Sequence, residues 1–179
     1  MKMDYDRIQA AMEDVKRDEY DYYLDLETGE IISIPVAHLK RLLHTLYLEE
    51  DDEPYEREIL FDSSVNTEYQ LTEEDEAALE VTLEILNKRD RYVRIPERNS
   101  SHAYGVMKSF ALTVYDHSLK EELLNALDGP GAFRRFKDVL LKDKKQRKRW
   151  HSYNAREMKK YIKMWLKEIG FDMDDNSIL

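Results

Sequence analysis

The tripeptide Gly129-Pro130-Gly131 constrains this chain more than any other feature, because it gathers two of only five glycines and one of four prolines in 179 residues. Gly129 suits the positive-φ position that ends a helix, and Pro130 forbids simple continuation. A new helix is predicted from Ala132, on which Phe133, Phe136 and Leu140 fall within about 60° of one another at 100° per residue. That face is assigned to the core. Arg134, Arg135 and Lys142 point elsewhere, so the helix both anchors the fold and opens a cationic surface.

Length and composition narrow the class. A chain of 179 residues with 42% hydrophobic residues suffices for one domain with a buried core. No apolar run approaches the roughly 20 residues of a membrane span, and Met1-Lys2-Met3-Asp4-Tyr5-Asp6 lacks the apolar centre of a secretory signal. A cytoplasmic location is expected, with no membrane partner. The absence of cysteine excludes disulfides, thiolate nucleophiles and cysteine metal sites. The five histidines show no His-x-His, His-x-x-His or His-Glu-x-x-His spacing, so no metal and no cofactor is expected.

Read in order, the chain alternates patterns. Ile8, Met12 and Val15 mark an amphipathic helix within 4–19. Tyr22-Tyr23-Leu24-Asp25-Leu26 and Glu30-Ile31-Ile32-Ser33-Ile34 flank Glu27-Thr28-Gly29 as a hairpin that Pro35 ends. A helix over 38–50 carries Leu39, Leu42, Leu43 and Leu46 on one face. The acidic run Glu49 to Glu53 lacks the glycine-centred calcium-loop pattern and reads as a solvated loop. Glu58-Ile59-Leu60-Phe61 suggests a short strand. Thr72 caps a helix whose acidic first turn suits the dipole, and whose apolar residues line two adjacent sides, expected to be packed on both. Arg91 to Pro96 alternates as a strand ended by proline.

Four helices are expected beyond residue 100. Ser100 or Ser101 caps the first, a Ser118/Glu121 capping box starts the second, the third follows Gly131, and an Asn154/Glu157 box starts the last. The stretch 142–149 between the last two has no apolar periodicity and is read as an exposed helix end or linker. The expected fold class is α+β: a small, mainly antiparallel sheet, made of a hairpin plus one or two short strands, with a helical C-terminal half. A single domain over 1–179 is expected, with an acidic α/β part over 1–100, a basic helical part over 101–170 and a disordered tail over 171–179.

Charge divides along the same line. Residues 1–100 carry 27 acidic and 12 basic side chains, a balance of −15, against 11 and 16, or +5, for residues 101–179. Within 133–167 the count is 14 basic to 3 acidic, or +11. An anionic partner is steered there, unless the two halves neutralise each other in the fold.

A set of motifs runs through the chain: Tyr23-Leu24-Asp25-Leu26-Glu27-Thr28-Gly29-Glu30, Arg91-Tyr92-Val93-Arg94-Ile95-Pro96, Met107-Lys108-Ser109-Phe110, Gly131-Ala132-Phe133-Arg134-Arg135-Phe136-Lys137-Asp138, Arg149-Trp150 and Trp165-Leu166. Together they resemble the bacterial grouping called uncharacterised protein family 0158. The resemblance implies a compact bacterial domain and carries no reaction, ligand or catalytic residue.

Three functions fit these residues. The first is a small interaction or regulatory domain without catalysis, meeting a protein partner; its oligomeric state is open. The second is a polyanion binder for RNA or DNA over 134–167. On a continuous helix Arg135, Lys142, Lys145 and Arg149 fall within about 80°, beside Arg134, with Trp150 and Tyr153 as stacking faces. The third is a small-anion or enzymatic site in the loop 94–102, where Arg94, Arg98 and Ser101 hold a phosphate at a helix N-terminus and His102 or Glu97 moves a proton. No nucleophile elbow, phosphate-loop or dinucleotide fingerprint accompanies that loop, and no catalytic residue is assigned.

Overall fold

The computed structural model describes residues 3–47 and 70–171. The expected strand at 58–61, the acidic run at 49–53 and the tail beyond Phe171 lie outside them. The fold is α+β, and the chain forms two compact units, Met1–Pro96 and Glu97–Leu179.

In the first unit, α1 (Tyr5–Glu13) starts where Asp4 accepts a hydrogen bond from the Arg7 N–H, and it buries Ile8, Ala11 and Met12. The helix is shorter than expected. Val15 lies beyond it and is exposed, because Asp14 already has an extended backbone. The hairpin forms as read: β1 (Asp21–Asp25) pairs antiparallel with β2 (Ile31–Ile34), with Leu24 opposite Ile31. Gly29 closes the turn at φ +79°, where a Cβ is disfavoured. A third strand, β3 (Tyr92–Arg94), runs antiparallel to β1 on its other edge, giving the order β2-β1-β3.

Two helices complete this unit, α2 (Val36–Tyr47) and α3 (Glu73–Asn87). Thr72 caps α3 as expected, and Asp75 returns a bond to the Thr72 N–H at 2.8 Å, a reciprocal capping box. Ala78 and Ile85 join Ile34, Leu39 and Tyr92 in the core. The second apolar side of α3 is not packed as expected: Leu83 and Leu86 are about half exposed.

The charged residues of the central strand are buried at both ends. Asp21 meets Arg17 and Arg94, and Asp25 meets Arg91, so neither carboxylate is left without a cation.

The second unit is helical: α4 (Ser100–Leu112), α5 (His117–Ala126), α6 (Ala132–Leu141) and α7 (Lys144–Glu168). Gly129 and Gly131 have φ of +71° and +78°, and Gly131 is the residue from which α6 departs. An aromatic group holds the unit together: the Phe136 ring lies 6.3 Å from Phe110 and 5.1 Å from Trp150, all in edge-on contact.

Several boundaries differ from the expectation. Asn99 caps α4 and Asp116 caps α5, in place of Ser100 or Ser101 and Ser118. Each carboxyl or amide oxygen one or two residues earlier reaches the free N–H groups first. The largest difference is α7, a single helix of 25 residues that starts at the Asp143 cap and passes through Asn154 without interruption. Lysine, arginine and glutamine are good helix formers, so the run 144–149 needs no apolar stripe to be helical. Phe133 also departs from its assignment, being 41% exposed. The buried set Ala132, Phe136, Val139 and Leu140 is centred roughly 75° away from it at 100° per residue.

Candidate polyanion groove

The groove arises where α6 ends and α7 begins. Only Lys142 and Asp143 join the two helices, and the Asp143 carboxylate accepts from the Gln146 N–H at 2.9 Å to start α7. Between them lies an open groove of about 690 Å3, whose lining includes Phe133, Arg134, Lys137, Asp138, Arg147, Trp150 and His151. A second hollow, lined by Lys144, Arg147, Lys148, His151 and Ser152, shares Leu141 with the first. On α7, Lys144, Arg147, Lys148 and His151 stand at i, i+3, i+4 and i+7, a stripe about 10 Å long at 1.5 Å per residue.

Cations outnumber the single lining carboxylate, Asp138, in this groove. Arg134, Lys137, Lys144, Arg147 and Lys148 make no side-chain ion pair with any described residue. Lys144 and Arg147 lie in the first turn of α7, where the helix dipole disfavours a cation by about 0.3–1 kcal/mol each. Folding gains nothing from that placement. An anionic ligand does.

The basic residues selected from sequence divide in two. Arg134, Lys145 and Trp150 remain available: Arg134 and Trp150 line the groove, and Lys145 is exposed next to it. Arg135, Lys142 and Arg149 are engaged in holding the fold. Arg135 donates from Nε to the Ala126 carbonyl at 3.2 Å, and its other nitrogens reach the carbonyls of Asp128, Gly129 and Pro130. It thereby occupies acceptors that the end of α5 leaves open. Arg149 does the same for α4, donating to the carbonyl and hydroxyl of Thr113 at 2.8 Å each. Lys142 pairs with Glu122.

Residues that sequence reading missed are Lys137, Lys144, Arg147, Lys148 and His151, together with Phe133 as a surface group. The signal was present: Asp143 followed by Gln146 is a helix start, and it resets the phase that one continuous helix across 135–149 had assumed.

Of the loop 94–102, Arg94 belongs to the first unit and Arg98, Ser101 and His102 to the second. Arg94 is paired with Asp21 in the first unit. At the start of α4, Asn99 Oδ1 accepts from the N–H groups of Ser101 and His102 at 2.8 and 3.3 Å, taking the donors a phosphate would need. His102 stacks on Tyr161 with ring centroids 4.2 Å apart, and Arg98 donates to its Nδ1 at 3.4 Å. Burial first, and the Arg98 charge second, lower the His102 pKa below the ordinary value. That favours the neutral form of the ring stacked on Tyr161.

Among the described residues no three acidic or histidine side chains gather closely enough to share a metal ion. EDTA is expected to leave the melting temperature unchanged. A fall of several degrees, reversed by a divalent ion, would contradict this reading.

The sequence of residues 64–176 matches the family model described as Uncharacterised protein family (UPF0158). The chain belongs to that family. The UPF0158 match takes in α3 to α7 and hence every groove residue, whereas the hairpin motif 23–30 precedes it. No curated protein and no solved structure matches the chain.

Proposed function

We propose that this protein is an interaction module whose second unit binds the phosphate backbone of RNA or DNA along the groove between α6 and α7. One observation carries the reading: five cations without a carboxylate partner line two adjoining hollows, two of them in a helix turn that disfavours positive charge. A net charge of −10 on the whole chain does not oppose this, since the excess of acids belongs to residues 1–100. A cytoplasmic, bacterial setting, where nucleic acid is abundant, fits the same proposal.

The test replaces Arg134, Lys137, Lys144, Arg147 and Lys148 together by glutamine. Nucleic-acid binding is expected to disappear while stability changes by less than about 1 kcal/mol, because charges without an ion-pair partner, four of them exposed and Arg147 half-buried, contribute little to folding. For the wild type, four or five phosphate contacts correspond to a slope of log K against log salt of about −3 to −4.5. Arg135→Ala is the opposite control: loss of about 1.5–3 kcal/mol of stability from its charged hydrogen bonds, and unchanged affinity. No retention of RNA or DNA by the wild type at 50 mM salt sinks the proposal.

A further inference from the structure

Resting on that reading, we infer that the ligand is a single strand, bound with an unstacked base seated against the Phe133 ring while the phosphates follow the cations of α6 and α7. Phosphate attraction alone does not account for the groove's apolar groups. Phe133 and Leu141 are 41% and 61% exposed, and each leaves a large hydrophobic surface in water beside lysine and arginine. The half-buried Trp150 adds a rigid wall, held edge-on by Phe110 and Phe136 at 5.2 and 5.1 Å.

A duplex keeps its bases paired and stacked, and offers a protein phosphates and groove edges. Such a ligand would use Arg134, Lys137 and Arg147 and leave Phe133 idle. A single strand presents the π-face of any base, and stacking on an aromatic side chain is tolerant of sequence. An acidic peptide with an apolar residue also complements charge and hydrophobicity in the first hollow. The α7 stripe argues against it, because Lys144, Arg147 and Lys148 continue into the second hollow, where Leu141 is the apolar lining residue. Regularly spaced charge beside a single apolar side chain suits a phosphate chain.

The measurement is the affinity of wild type, Phe133→Ala and Phe133→Trp for a twelve-nucleotide oligouridylate, its duplex with oligoadenylate, and heparin, at one salt concentration. Wild type should prefer the single strand to the duplex by about tenfold, within the range of one base stack. Phe133→Ala should lose about that factor on the single strand and less than twofold on duplex and heparin. Phe133→Trp, which keeps a stacking face, should retain the wild-type preference. Equal affinity for all three ligands, indifferent to Phe133→Ala, overturns base stacking and leaves the backbone reading standing. Failure to bind any of the three at 50 mM salt, with binding of an acidic phenylalanine-bearing peptide instead, overturns both.

Discussion

Phe136→Ala is expected to lower the unfolding free energy of the second unit by about 3–5 kcal/mol, the range for deleting a buried phenylalanine ring. Phe133→Ala should cost less than about 1 kcal/mol, since that side chain already stands partly in water. The two residues are one helical turn apart and identical in chemistry, so the contrast isolates burial. Phe136 has no exposed surface and meets Phe110 and Trp150 edge-on. Removing it strips both partners of contact and leaves a cavity that the rigid α6 cannot close. Both tryptophans, Trp150 and Trp165, lie in the second unit, so fluorescence during urea unfolding reports on it selectively. Equal midpoints for the two variants would mean that the aromatic group is not the core of this unit.

That contrast also marks how far the sequence was legible. Local chemistry was readable wherever one residue type decides the backbone: Gly29 in the hairpin turn, Thr72 at the start of α3, Gly129 and Gly131 around Pro130. Alternation identified β1 and β2, and proline placed the end of the third strand. Phe133 escaped because three apolar residues within 60° define a stripe without locating its centre. Ala132 and Val139 move that centre, and their small size gives them little weight in a pattern.

The candidate site was legible in composition and not in assignment. Charge counting located the stretch 133–167, but which cations are spent on the fold depends on where helices end in space. Arg149 is taken by Thr113, 36 residues earlier, and Arg135 by carbonyls of the turn after α5. Neither link follows from periodicity, because each uses backbone carbonyls that any residue supplies, joined for Arg149 by the Thr113 hydroxyl. What remains free, from Arg134 to Lys148, is defined by subtraction.

The first unit should show its own dependence on a buried charge. Asp25→Asn is expected to destabilise it by about 3 kcal/mol at neutral pH, the lower end of the cost of breaking a buried pair, because Arg91 keeps some contact with water. Asp25 is 3% exposed at the end of the central strand. It accepts from Arg91 Nε and Nη2 at 3.0 and 2.6 Å, from the Glu27 N–H at 2.9 Å and from the Thr28 hydroxyl at 2.9 Å. The Arg91 hydrogen bonds outweigh desolvation and hold this carboxyl well below the usual carboxylate range. A group whose folded pKa is depressed stabilises the fold fully above its unfolded value, here about 3.8, and loses that contribution as pH falls further. The stability gap between wild type and Asp25→Asn should therefore be complete above about pH 5 and narrow steadily below about pH 4. Asparagine preserves the shape of the turn and cannot titrate, so the narrowing comes from the wild type alone. Amide exchange of Leu24 and Val93, paired across β1 and β3, follows this unit without interference from the tryptophans. A gap that stays constant from pH 7 to pH 3 would show that the Asp25 charge is not what Arg91 stabilises.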